Sequence, residues 1–167
     1  MTTSPRPRKL VKAAAEQAEA RCVCGEVRLE IDVPAVWAWH DHSAASRHAQ
    51  GCAYATYVGS WRSRFRILEG AEHIGRFEDA EVGTARSFCR QCGTPLIYER
   101  ARSPQIVNIP RALFIGRTGR EPRYHTSLHQ RADWEYAGEP LAPLKGYPGV
   151  MWARPRRPKR RDLEAMF

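Results

Sequence analysis

The sequence predicts a mainly β protein whose strands form a sandwich or a rolled sheet, and three features support this. Segment 26–32 alternates strictly between polar and apolar residues, which is typical of a half-buried strand. Further apolar segments recur about every ten residues with Gly, Pro or Asp between them, the spacing of an all-β domain. Two short cysteine pairs, one beside the first strand and one near the middle of the chain, could pin distant strands together.

The elements follow in chain order. Leu10–Ala20 alone has a strongly helical composition, but the segment is too short to be stable as a helix on its own. In the first strand, Glu26–Asp32, the side chains of Val27, Leu29 and Ile31 should face the core. The other predicted strands are Ala53–Val58, Arg64–Leu68, His73–Phe77, Ala85–Phe88, Thr94–Tyr98, Gln105–Ile109 and Tyr124–Leu128.

Four of the five cysteines form a Cys-x-Cys and a Cys-x-x-Cys pair, each followed by glycine, and they suit a closed tetrahedral zinc site. Such a site has no open position, so it would stabilise the fold and would not activate water. Arg21, Arg86 and Arg90 are close enough in sequence to offset the negative charge of the thiolates. The predicted ligands of this one structural zinc ion are Cys22, Cys24, Cys89 and Cys92.

Other roles for these cysteines are two disulfides, a redox pair or four unrelated thiols. The absence of a secretory apolar segment at the N-terminus argues against disulfides. A redox Cys-x-x-Cys opens a helix, whereas segments 86–88 and 94–98 on either side of this one have strand-like sequences. The paired spacing therefore favours zinc.

Length and charge predict one domain between two tails. A flexible, basic and Ala-rich segment is predicted over 1–20, a zinc-binding β-roll domain over 21–150, and a basic, disordered tail over 151–167. The two tails carry +6 of the formal net charge of +9, so nucleic acid is expected to bind at most weakly and through the tails. No apolar run reaches the roughly 20 residues of a membrane span, which predicts a cytoplasmic protein.

Several motifs together resemble the glutathione-dependent formaldehyde-activating family, which includes centromere protein V. They are Arg21-Cys22-Val23-Cys24-Gly25-Glu26-Val27-Arg28, Arg47 and Gly51 with Tyr54-Ala55-Thr56, Phe88-Cys89-Arg90-Gln91-Cys92-Gly93-Thr94-Pro95-Leu96, and Pro122-Arg123-Tyr124-His125 with Trp134. The resemblance covers roughly residues 21–147. It implies a zinc-pinned rolled sheet called a β-tent, and carbon–sulfur chemistry that joins glutathione to formaldehyde as S-hydroxymethylglutathione.

The resemblance also implies a second, catalytic zinc bound by Cys-His-Cys-x-x-Cys just before Arg47, and here the sequence departs from the family. His42 falls on the histidine, but Asp41, Ser43 and Ser46 stand at the three cysteine positions. A serine hydroxyl is a poor zinc ligand at neutral pH. The sequence therefore predicts an impaired or altered carbon–sulfur lyase or glutathione-adduct activity. The alternative is a non-catalytic module that binds a small molecule or a partner.

Three interpretations of residues 40–52 remain open. The pocket could persist without its metal and bind glutathione, a small thiol or an aldehyde adduct through the Asp41–Ser46 segment. A different divalent ion could bind to His40, Asp41, His42 and His48, although an extended segment would point Asp41 away from the histidines. Cys52 could be a nucleophile, but a small buried side chain is favoured. His125 is predicted to be structural, and Trp134 to lie in the core.

Overall fold

The structure is a computed structural model, and it describes residues 16–135, 141–143, 145–146 and 151–153. Over these ranges the protein is mainly β, as the sequence predicts. The chain divides into two compact units, residues 1–132 and 133–167, which are described separately. The domain limits predicted at residues 21 and 150 stay predictions. No helix within the described ranges is long and apolar enough to cross a membrane.

Twelve strands and one α-helix make up the regular structure of the described residues. The helix α1 spans Ala44–Gln50, and short 3₁₀ turns span Arg62–Arg64, Ala71–His73, Arg111–Leu113 and Leu128–Gln130. The strands are β1 Gln17–Arg21, β2 Arg28–Asp32, β3 Trp37–Asp41, β4 Ala55–Trp61, β5 Phe65–Glu69, β6 Ile74–Asp79, β7 Thr84–Cys89, β8 Pro95–Arg100, β9 Ile106–Pro110, β10 Tyr124–Thr126, β11 Leu141–Pro143 and β12 Met151–Ala153.

Two open sheets form the first unit. A three-stranded sheet has the order β1-β2-β5, and a seven-stranded sheet has the order β10-β3-β4-β9-β8-β7-β6. Every pairing in them is antiparallel except that of β10 with β3, which is parallel and brings residues 124–126 beside residues 39–41. In the second unit, β11 and β12 pair as a separate antiparallel ribbon.

The core lies where the two sheets of the first unit face each other. Leu29 and Ile31 from β2 are fully buried there with Val58, Leu96 and Ile109 from the larger sheet. Burying each of these side chains contributes about 1.5–3 kcal/mol relative to leaving it exposed. The predicted inward face of the first strand is confirmed, because Val27 is also fully buried.

All eight predicted strands are found, but the predicted core location of Trp134 is wrong, and the strand at the N-terminus is not among the predictions. The helical composition of Leu10–Ala20 does not give a helix at its described end, since Gln17–Arg21 forms β1, and residues 10–15 lie outside the described residues. Ala18 and Ala20 pair across from Ile31 and Leu29 and are buried, so packing overrides their helical propensity. Trp134, predicted to lie in the core, is 67% exposed because it follows the last strand of the first unit in an irregular segment.

The substitution Ala18→Glu tests whether β1 belongs to the folded core. The side chain at position 18 is 4% exposed, so a glutamate there would be buried without a partner. We expect the free energy of unfolding to fall by about 2–5 kcal/mol in urea titrations. Gln17→Glu is the matched control, because the neighbouring side chain is exposed. Equal stability of the two variants would contradict the assignment of β1 to the core.

Candidate functional site

The two cysteine pairs meet at one end of the first unit. Cys22 and Cys24 follow the end of β1, Cys89 is the last residue of β7, and Cys92 lies in the turn that leads into β8. Gly25 and Gly93 adopt φ angles of 87° and 72°, a left-handed conformation that glycine reaches without steric cost. Each turn therefore reverses the chain directly after its second cysteine, as the sequence predicts.

The four sulfur atoms have the spacing of a metal site. All four Sγ atoms lie within 4.8 Å of one another, and those of Cys24 and Cys89 are 3.7 Å apart. Tetrahedral zinc–sulfur bonds of about 2.3 Å would place sulfur atoms about 3.8 Å apart. Thiolates are also the soft donors that suit zinc in such sites. The cluster could therefore hold a metal ion, and its donor set fits zinc.

Neighbouring groups stabilise negative charge on part of the cluster. Hydrogen bonds from the hydroxyl and backbone N–H of Thr94 lower the pKa of Cys92 to about 5. Burial opposes ionisation of Cys22, but the backbone N–H of Val27, 3.3 Å from its Sγ, lowers its pKa overall. The pKa of Cys24 rises to about 12: the backbone N–H of Glu26 favours its thiolate, but burial and the hydrogen bonds with the neighbouring thiols outweigh that effect. A bound cation would offset the electrostatic repulsion between neighbouring thiolates.

Residues 41–46 form a closed hydrogen-bonded network where β3 leads into α1. The Ser46 hydroxyl donates to Asp41 Oδ2 at 2.7 Å, and the Ser43 backbone N–H donates to Asp41 Oδ1 at 3.0 Å. The Ser43 hydroxyl caps the helix by accepting from the Ser46 N–H at 3.3 Å. Asp41 and Ser46 are buried. The three residues predicted from the family register are therefore adjacent, and hydrogen bonds through side chains and backbone N–H groups link them.

Arg86 extends this network. Its Nη2 donates to Ser46 Oγ at 3.2 Å and its Nη1 to Tyr57 Oη at 3.0 Å, while its guanidinium lies 4.3 Å from the centre of the Tyr98 ring. The expectation that Arg86 offsets the charge of the cysteine cluster is wrong. Alternate residues of a strand point to opposite faces, so Arg86 faces away from Cys89.

The histidines of this region separate into two environments. His42 Nε2 lies 2.9 Å from His125 Nδ1, and the ring of His125 also packs 4.7 Å from that of His40. His48 instead lines a separate cleft, described below, whose lining also includes Asp41. Among the described residues the four cysteines are the one group placed to hold a metal, so His40, Asp41, His42 and His48 do not converge.

Two further residues of the family motif, Arg47 and Gly51, hold the segment around α1 in place. The Arg47 side chain donates to the carbonyl oxygens of His42 at 3.3 Å and of Gln130 at 3.1 Å. Gly51 ends α1 with a φ of 61°, and its N–H donates to the Arg47 carbonyl. Cys52 follows directly and is half-buried, and burial raises the pKa of its thiol. This raised pKa fits the small packed side chain that the sequence favours over a nucleophile.

A cleft of about 670 Å³ opens beside the network. Asp41 and Ser43 line one wall, and Arg86, Tyr98 and Arg100 line another. Burial raises the pKa of Tyr98 despite the opposing effect of the two arginines, which keeps its phenol neutral at physiological pH. The size suits a small organic molecule. We name this space the Arg86–Arg100 cleft.

Comparisons with known proteins identify the family of this chain and support its fold. The family model for the glutathione-dependent formaldehyde-activating enzyme matches residues 17–130. The chain belongs to this family. A crystal structure of a Rhodobacter sphaeroides protein, at 22% identity, covers 65% of this chain and 99% of its own with a TM-score of 0.51, which supports the fold. No curated protein matches the chain significantly.

For this family member, the sequence indicated the metal cluster and the 41–46 segment but missed part of the cleft. Tyr98 and Arg100 lie on the strand after the second cysteine pair, on the face opposite buried Ile97, and the sequence alone does not mark them as site residues. The structure places His125 against His42, and the structural role predicted for His125 stays a prediction. No pattern of charge or spacing in the sequence links these two histidines.

Proposed function

We propose that this protein is a zinc-stabilised member of the family that binds a small molecule in the Arg86–Arg100 cleft and lacks the zinc-dependent condensation of glutathione with formaldehyde. The cysteine cluster would hold one structural zinc ion, a role supported by four thiols within 4.8 Å of one another. When bound, that ion would stabilise the fold and leave no position for substrate.

The observation that carries this proposal is the internal pairing of Asp41. Each of its carboxylate oxygens accepts a hydrogen bond from the protein, at 2.7 Å from Ser46 and 3.0 Å from Ser43. A metal at the family's second position would need these oxygens as ligands. It would also need hydroxyl oxygens in place of thiolates, and these bind zinc weakly at neutral pH.

The positive charge of Arg86 makes binding of a second metal ion at residues 41–46 less favourable. Its guanidinium donates to Ser46, the residue at the third cysteine position. A divalent ion bound there would lie beside a permanent positive charge in a partly buried site, where screening is weak. The network is therefore better suited to position Arg86 towards the cleft than to bind zinc.

A retained carbon–sulfur lyase activity is the second candidate, and the frame of the loop favours it. Arg47 and Gly51 still hold the segment around α1 through the contacts described above. Glutathione or a small thiol–aldehyde adduct would then bind in the cleft, and catalysis would proceed without a metal ligated by three cysteines. Asp41 and Ser43, which line the cleft, would be the reacting groups.

Zinc content and turnover of the purified protein separate the two candidates. We expect one zinc per chain by elemental analysis, and glutathione–formaldehyde condensation no faster than the uncatalysed reaction. Turnover that disappears in Asp41→Asn or Ser43→Ala, but not in the control Ser63→Ala at an exposed serine, would establish the second candidate. Zinc content near two per chain would contradict the proposal outright.

A further inference from the structure

We propose that the ligand of the Arg86–Arg100 cleft is a small organic monocarboxylate with an apolar tail, bound through the two arginines. This inference rests on the proposed function, because it names the chemical class that the cleft would bind. It is carried by two guanidinium groups that have no carboxylate partner among the described residues, and by exposed apolar side chains at the same cleft.

Arg100 has hydrogen-bonding capacity that the protein does not use. Its Nε atom is buried without an acceptor among the described residues. Its guanidinium is held over the rings of Trp37 and Trp39, 5.6 and 5.8 Å from their centres. A buried N–H donor without a partner costs free energy. The Nη atoms of the same guanidinium also have no acceptor among the described residues, and a carboxylate in the cleft could accept from them.

Arg86 is positioned for the same purpose. Its two described hydrogen bonds go to the neutral hydroxyls of Ser46 and Tyr57, which fix the plane of the guanidinium without neutralising its charge. Asp41 connects to it only through the Ser46 hydroxyl. Stacking on Tyr98 adds a further restraint. Fixed arginines of this kind bind planar carboxylates with little loss of side-chain freedom.

Several arginines elsewhere in the first unit are paired with carboxylates. Arg62 and Arg76 both bind the carboxylate of Glu99, and Arg66 binds both Glu30 and Asp32. Within the described part of the chain, neither Arg86 nor Arg100 has a carboxylate at salt-bridge distance. The two arginines of the cleft therefore differ from these carboxylate-paired arginines, and they line a space that a ligand could occupy.

The charge of the lining favours a monoanion. Three arginines, the third being Arg102, face two carboxylates, Asp41 and Asp79, which leaves a surplus of one positive charge when His48 is neutral. Asp79 also accepts a hydrogen bond from the backbone N–H of its own turn. A carboxylate matches one surplus charge, whereas a phosphate monoester carries nearly two negative charges at pH 7.

The apolar tail follows from two exposed side chains on the rim. Phe77 and Val82 line the cleft and are 61% and 67% exposed. A ligand that placed its carboxylate on the arginines could cover both side chains with an apolar group, and the burial would be favourable. Glutathione is polar along its whole length and offers no such group. We therefore expect it to bind more weakly than an apolar monocarboxylate.

Calorimetric titration of the full chain with 3-phenylpropionate tests this inference. We expect binding at least tenfold tighter than that of the neutral analogue 3-phenylpropionamide, and tighter than that of glutathione or phenyl phosphate. Arg100→Gln should weaken binding at least tenfold, and Phe77→Ser severalfold. The matched control is Arg64→Gln, an exposed arginine that does not line the cleft, and it should leave binding unchanged. Arg100→Lys keeps the positive charge but removes the planar guanidinium that can donate two parallel hydrogen bonds to a carboxylate. We therefore expect a loss of affinity between those of the wild-type protein and Arg100→Gln.

Equal binding of the acid and the amide would overturn the inference, as would an unchanged affinity in a folded Arg100→Gln or Arg100→Lys variant. Tighter binding of phenyl phosphate would overturn the assignment to a carboxylate. These outcomes differ from a failure of the proposed function, which would show as zinc-dependent turnover or a second zinc whether or not 3-phenylpropionate binds.

Discussion

Replacing Cys89 by serine should leave the protein molten or unfolded at 25 °C. Cys89 is fully buried at the end of β7, and its Sγ lies 3.7 Å from that of Cys24. Structural zinc sites contribute on the order of 10 kcal/mol to folding, which equals the whole net stability of many domains. Three remaining thiols hold zinc poorly, so loss of one ligand removes most of this contribution. Far-ultraviolet circular dichroism, side-chain NMR spectra and thermal melting measure the effect.

The fifth cysteine provides the matched control. Cys52 is half-buried and takes no part in the cluster, so Cys52→Ser should change the melting temperature little and leave zinc content at one. A strong chelator should melt the wild-type and Cys52→Ser proteins alike. Sharp NMR spectra and an unchanged melting temperature for Cys89→Ser would refute a structural role for the cluster.

The cysteine cluster could be predicted because its sequence signal lies within two short segments of the chain. Each pair is short, and the glycine after it permits the φ angle above 70° that the turn uses. The N-terminal strand could not be predicted in the same way. Residues 17–21 have helix-favouring side chains, and only pairing with β2, more distant in sequence, makes Ala18 and Ala20 core residues. Pairing with β2 therefore makes residues 17–21 a strand despite their local helix propensity.

Only one segment of the candidate site, residues 41–46, could be predicted from the sequence. Counting back from Arg47 and Gly51 places Asp41, Ser43 and Ser46 together, and hydrogen bonds do link the three residues. The other wall comes from strands β7 and β8, some 40 residues further along the chain, where single arginines have no distinctive spacing. Which arginines lack carboxylate partners depends on the fold, so the sequence could not separate Arg86 and Arg100 from the other arginines.

Restoring the three cysteines should raise zinc content from one to two ions per chain. In the triple variant Asp41→Cys, Ser43→Cys and Ser46→Cys, the new thiols would occupy side-chain positions that already touch, at 2.7 Å between Asp41 and Ser46. The positive charge of Arg86, 3.2 Å from Ser46 Oγ, would favour thiolates there. The lost hydrogen bonds to the Asp41 carboxylate cost about 1.5–3 kcal/mol each, less than a bound zinc returns.

The double variant Ser43→Cys and Ser46→Cys is the control, because it adds two thiols but keeps the Asp41 carboxylate and its place in the network. We expect it to hold much less additional zinc than the triple variant after dialysis against a weak chelator. A zinc content of one in a folded triple variant would show that the loop no longer has the geometry of the family's second site. Two ions in the triple variant would show that three side chains alone separate this protein from a two-zinc relative, because Arg47 and Gly51 still hold the loop.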